Sequence, residues 1–170
     1  LAHNLGVVRQ YVPCSRIMAV VKADAYGHGL LHTASALKDV DGFALLELDA
    51  AISLRDAGYQ QPILLLEGFF STEELALFEQ YRLSAVIHHS EQIAMLSDSK
   101  HHNLDLFLKI NTGMNRLGLA PEQFPQIMKA LTEVLNDKRS TSSATFLMAR
   151  YNTFRSSSEG ASLVTNHFPC

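Results

Sequence analysis

The sequence has no tryptophan, two cysteines and five prolines in 170 residues. Cys14 and Cys170 lie at opposite ends of the chain, which excludes a disulfide framework of the kind that staples small secreted domains. They read as reduced thiols of a cytoplasmic protein. Long apolar runs are missing too. None approaches the roughly 20 residues that span a bilayer, so no membrane association is expected. Nor is there an excess of positive charge: 14 Lys and Arg against 17 Asp and Glu leave a net charge of −3, with no basic stripe. Nucleic acid is therefore not an expected partner. The N-terminus carries no charged-then-apolar signal pattern.

What is present is a globular composition, 47% hydrophobic and 18% charged, in a chain long enough for one domain with a real core. Leu1–Arg9 already has the spacing of an amphipathic helix, so the chain reads as clipped at its front. From residue 17 to about 135 short apolar runs alternate with helical spacing. The apolar runs are Ile17–Val21, Gly42–Leu46, Ile63–Leu66, Ser84–Ile87 and Leu104–Ile110. Helical stretches are expected at His28–Lys38, Glu47–Ala57 (closed by Gly58), Ser71–Tyr81, Ser90–Asp98 and Pro121–Leu135. Five strand-then-helix units argue for a parallel α/β protein whose strands are covered on both faces. A doubly wound sheet and a (βα)8 barrel both fit. Functional side chains at strand C-termini suit either, and favour the barrel moderately.

Near residue 136 the character changes. Asn136–Ser143 and Phe154–Gly160 are polar and turn-rich, and the apolar patches Phe146–Met148 and Leu163–Val164 have no clear period. Five units do not complete an eight-stranded barrel, which takes about 250 residues. The expected architecture is an incomplete (βα)8 barrel over 1–135 with an irregular C-terminal tail over 136–170.

Two motifs carry chemistry. The first is Ala19-Val20-Val21-Lys22-Ala23-Asp24-Ala25-Tyr26-Gly27-His28-Gly29. A lysine at the end of a buried strand loses hydration, which favours its neutral, nucleophilic form. The usual use of such an amine is a Schiff base with a carbonyl compound. The glycines allow close backbone approach, and the Tyr26 hydroxyl could hold a phosphate. On these residues alone, a strand ending in a solvated lysine fits as well. The second is Lys109-Ile110-Asn111-Thr112-Gly113-Met114-Asn115-Arg116-Leu117-Gly118, a turn-rich loop with a lysine and an arginine. Taken alone, it also reads as a polar loop with two surface cations. Met114 reads as packing and Asp24 as a residue that orients its loop.

With both motifs and the intervening Leu54–Phe70, residues 1 to about 135 resemble the N-terminal barrel domain of the alanine racemase family. The resemblance implies the cofactor pyridoxal 5′-phosphate, alanine as substrate and a homodimer. Lys22 is similar to the lysine that holds the cofactor covalently and serves as one catalytic base. Tyr26 is similar to the tyrosine at the cofactor phosphate, and Arg116 to the arginine beside its phenolic oxygen. Lys109 is similar to a lysine often carbamylated in the family, a change that lets it pair with Arg116. The family's second base, a tyrosine from a C-terminal domain of the partner subunit, has no counterpart in this sequence. The tail reads as out-of-frame or unrelated sequence. The implied function is racemisation of alanine for cell-wall D-alanine supply. The alternatives are a non-catalytic pyridoxal-phosphate-binding barrel and an inactive frameshifted remnant. His88-His89 and His101-His102 supply no closed ligand set, so no metal is expected.

Overall fold

The structure, a computed structural model, describes residues 1–101, 103–137, 144–147 and 163–166. It divides into two compact units: Leu1–Leu64 with the strand at 163–166, and the chain from Leu65 onward through 147.

The first unit begins with α1 (Ala2–Tyr11) and β1 (Arg16–Val20), followed by the short turn α2 (Lys22–Tyr26) and α3 (Leu30–Ala36). Next come β2 (Gly42–Leu45) and α4 (Leu48–Asp56). β1 and β2 pair in parallel, with Met18 opposite Gly42 and Val20 opposite Ala44. β2 is buried throughout, as a parallel strand covered on both faces should be. Gly42 is needed for close approach, since a Cβ there would lie 2.9 Å from the Pro62 carbonyl oxygen and 3.0 Å from Met18 Cε. α4 stops where the sequence places its end, with Gly58 at φ 91° and its N–H on the Arg55 carbonyl. Arg9 of α1 reaches the Asp39 carbonyl and the Asp41 carboxylate, and Asp41 Oδ2 accepts the Ile17 N–H at 2.7 Å. These contacts dock α1 against the entrance of β1. The core is Ile17, Phe43, Leu45, Ala51 and Leu54, with Phe43 edge-on to Tyr59 at 5.5 Å.

β3 (Ile63–Leu65) falls at the junction of the units. The second unit continues with α5 (Glu74–Gln80), β4 (Leu83–Ile87), α6 (Ser90–Asp98), β5 (Leu106–Lys109), a 3-10 turn at Pro121–Gln123 and α7 (Phe124–Asp137). β6 (Ala144–Leu147) closes it. β4, β5 and β6 pair in parallel, with Ile87 opposite Leu108 and Lys109 opposite Leu147. Leu75, Phe78, Ile87, Leu96 and Leu106 form its core, and Phe69 meets Phe78 edge-on at 5.9 Å. Such aromatic pairs contribute about 0.5–1.5 kcal/mol beyond their buried area. Finally, β7 (Leu163–Asn166) pairs antiparallel with β1 in the first unit.

β1 to β5 alternating with helices is the βα pattern of an incomplete (βα)8 barrel, the fold class expected from the sequence. Two expectations are corrected. The apolar patches of the tail contribute short strands, β6 and β7, because each finds an open strand edge to pair with. Cys14 is disulfide-bonded, not a reduced thiol. It sits exposed in the loop before β1, where a sulfur can be reached; Cys170 lies outside the described residues.

Candidate functional site

Lys22 follows the buried Val21, whose N–H donates to the Ala44 carbonyl at 2.8 Å. This bond carries the pairing with β2 one residue past β1 and holds the half-buried lysine at the strand's C-terminal end. The chain then turns the wrong way. Ala23, Asp24, Ala25 and Tyr26 all have φ between 51° and 54°, a left-handed turn of four residues that are not glycine. Each costs roughly 1–2 kcal/mol, so the turn stores roughly 4–8 kcal/mol. Hydrogen bonds offset the strain. The Ala25 N–H donates to the Val21 carbonyl, and the N–H groups of Gly27 and Gly29 both donate to the Asp24 carbonyl, all at 3.1 Å. The Asp24 carboxylate accepts the Leu30 N–H at 2.7 Å, which satisfies a free donor at the start of α3. Asp24 thus orients the loop, as the sequence suggests. Tyr26 lies one turn beyond Lys22 and is 57% exposed.

The second unit contains the other motif. Lys109 ends β5 and is half-buried. The loop after it closes on itself: Asn111 N–H donates to the Leu119 carbonyl at 2.8 Å, and Leu119 N–H to the Lys109 carbonyl at 2.9 Å. Inside the loop, Asn111 Oδ1 accepts the N–H groups of Gly113 and Asn115, each at 3.1 Å, and its Nδ2 donates to Asn115 Oδ1. Gly118 has φ 128°, and a Cβ there would lie 2.8 Å from Asn111 N, so only glycine lets the loop shut. Arg116 projects from this closed loop and is exposed. Met114 is 46% exposed, a correction to its reading as packing.

A residue set aside in the sequence lies next to Lys109. His88 stands immediately after β4, half-buried, with Nε2 3.1 Å from the Glu67 carbonyl oxygen. Burial lowers its pKa from the ordinary 6.5, and the nearby Lys109 charge lowers it further, partly opposed by Glu67. The anchor of this corner is Gln92, 4% exposed. Its Oε1 accepts the N–H groups of His88 (2.9 Å) and His89 (3.2 Å). Its Nε2 faces the carbonyls of Glu67 (3.0 Å), Phe69 (3.2 Å) and Val86 (3.4 Å). Gly68 makes the approach possible, since a Cβ there would lie 2.6 Å from Gln92 Nε2 and 2.4 Å from the Val86 carbonyl oxygen. His89 caps α6 and His101 pairs with Glu79 at 2.6 Å; His102 lies outside the described residues. Among the described residues no group of three or more His, Cys, Asp or Glu side chains could hold a metal ion.

Both pairs, Lys22 with Tyr26 and Lys109 with Arg116, therefore sit where parallel strands end, on loops whose backbone is fixed by hydrogen bonds. The pattern of the family described as "Alanine racemase, N-terminal domain" matches residues 1–150. The chain belongs to the alanine racemase family. Alanine racemase from Nitrosospira multiformis is 61% identical over 132 residues, 77% of this chain and 37% of that protein. Alanine racemase from Nitrosomonas europaea is 61% identical over 134 residues, 78% of the chain and 37% of that protein. Among solved structures, the biosynthetic alanine racemase of Pseudomonas aeruginosa matches 86% of the chain and 40% of its own, at 34% identity and TM-score 0.75. The alanine racemase of Acinetobacter baumannii matches with TM-score 0.71 at 32% identity, over 85% of the chain and 43% of its own. The chain thus spans about 37% of the length of its curated alanine racemase relatives. Among the described residues no helix is long and apolar enough to cross a membrane.

Proposed function

We propose that this chain is the N-terminal part of an alanine racemase, a pyridoxal-phosphate-dependent isomerase that interconverts L- and D-alanine. The observation that carries the reading is Lys22, held half-buried at the end of β1 by a strained left-handed turn that also presents Tyr26. Strain of this kind persists where the surrounding structure fixes it, and it clusters at ligand sites.

The residues fit the cofactor. An amine, a hydroxyl and a turn of small residues lie together, and a Cβ at Gly27 would meet nothing within 4 Å, so the turn has open space beside it. When bound, pyridoxal phosphate withdraws electrons from the substrate's Cα and makes its proton easier to remove. Lys22 would hold the cofactor through Nζ and carry the Cα proton on one face. Tyr26 would donate its hydroxyl to the phosphate. Arg116 would stand at the phenolic oxygen, and Lys109, as a carbamate, would orient Arg116 by a charge-assisted hydrogen bond. Inversion needs a second proton carrier on the opposite face, and no residue here is assigned to it. Alanine as substrate, a homodimer, a cytoplasmic location and a boundary near residue 135 belong to the same reading.

The test is an absorbance spectrum of the purified chain with pyridoxal phosphate, beside Lys22→Ala. A long-wavelength band present only with Lys22 supports the reading. A band unchanged in Lys22→Ala refutes the assignment of that lysine.

A further inference from the structure

The parallel register of β4 and β5 pairs Val86 with Phe107 and Ile87 with Leu108. One step on, it sets His88 beside Lys109. Paired residues of parallel strands send their side chains to the same side of the sheet. Phe107 and Lys109 occupy the half-open face of β5, while Leu106 and Leu108 are buried on the other. His88 and Lys109 thus share the open face at neighbouring strand ends. Gln92 fixes the His88 backbone, and the Glu67 carbonyl fixes its ring. A carbonyl oxygen only accepts, so Nε2 carries the hydrogen and Nδ1 the lone pair. The charged or titratable groups around His88 are Lys109, Glu67 and His89.

We propose that His88 is a positioning residue for Lys109, taking the proton released when Lys109 adds carbon dioxide and then pairing with the carbamate as an imidazolium. This rests on the carbamylation of Lys109 proposed above. The neutral Lys109 amine forms an N–C bond to carbon dioxide, one C=O π pair moves to oxygen, and the N–H proton passes to His88 Nδ1. Charge is conserved: a neutral pair of bases becomes an anion beside a cation. With Lys109 cationic, partial burial and the like charge lower the pKa of His88. With Lys109 anionic, the same proximity favours protonated His88. Linkage makes the effect reciprocal, so protonated His88 stabilises the carbamate by the factor by which the carbamate tightens proton binding at His88. Arg116 and His88 would then hold the carbamate from the loop and from β4.

The experiment is an NMR titration of the full chain with 13C-labelled histidine, the His88 signal being identified by its loss in His88→Gln. From wild type in carbon-dioxide-free buffer to Lys109→Met, the proton-binding constant of His88 should rise roughly three- to tenfold, and to Lys109→Glu by as much again. Lys109→Gln is the second neutral variant should the methionine disturb folding. Equal midpoints in all of these overturn the proposal. In 13C-bicarbonate, wild type should show a carbamate signal and a raised His88 midpoint together. A carbamate with no change at His88 also overturns the proposal. Failure of wild type to form any carbamate refutes the carbamylation reading instead, and the Lys109→Glu midpoint still decides whether His88 pairs with an anion at this position.

Discussion

Replacing Gln92 by alanine should destabilise the second unit more than any exposed substitution in it. The carboxamide meets five backbone groups: two N–H groups at Oε1 and three carbonyls at Nε2. Two amide hydrogens serve three carbonyls, so the effective number of bonds is about four. At a net value of about 1 kcal/mol each the loss is about 4 kcal/mol. Water reaching the rim near the exposed His89 recovers part of it, which leaves about 3–4 kcal/mol. For a unit of this size, that corresponds to a fall in Tm of about 12–30 °C. Urea unfolding followed by far-UV circular dichroism measures it directly. A loss below about 1 kcal/mol would refute the argument that this side chain clamps the ends of β3 and β4. Gln92→Glu sharpens the test. A carboxylate cannot donate, so it would face three carbonyls as an anion, and its folded-state pKa must rise. The variant should therefore regain stability as pH falls, whereas Gln92→Ala should not.

Gly118→Ala should cost about 2–3 kcal/mol, because φ is 128° and the new Cβ would press on the Asn111 backbone; the same variant should make residues 111–118 a site of limited proteolysis. Asp24→Ala removes the acceptor for the Leu30 N–H and should cost about 1 kcal/mol in thermal unfolding, as the loss of a helix cap does. The lowered pKa of His88 sets a pH dependence. The unfolded chain binds the proton more tightly, so this group's stabilisation is complete above its ordinary 6.5 and is lost as pH falls through the folded value. His88→Gln should flatten the stability profile in that window, and an unchanged profile would count against burial of the imidazole.

Strand and helix positions were legible in the sequence because apolar runs and helical spacing alternate without interruption from Ile17 to Leu135. The ends were less so. α5 begins at Glu74, after a turn through Ser71–Glu73 that looks like a helix start in composition. The left-handed turn after Lys22 was not legible, since alanine and tyrosine rarely adopt positive φ; only Asp24 and the two glycines hint at it. Closure of the Lys109–Gly118 loop depends on a bridge between Ile110 and Leu119, which turn residues alone do not announce. His88 was hidden by its neighbour, because an adjacent histidine pair invites a question about metals. Period-two counting along β4 leads from Ser84 through Val86 to His88, and the register with β5 then brings it to Lys109.

We propose Lys22 as the residue that holds pyridoxal phosphate. The most direct measurement is borohydride reduction of the chain with pyridoxal phosphate, followed by peptide mapping by mass spectrometry. A phosphopyridoxyl group on Lys22 is the expected result. Label spread over Lys38, Lys100 and Lys129 with none at Lys22, or no label at all, would contradict it.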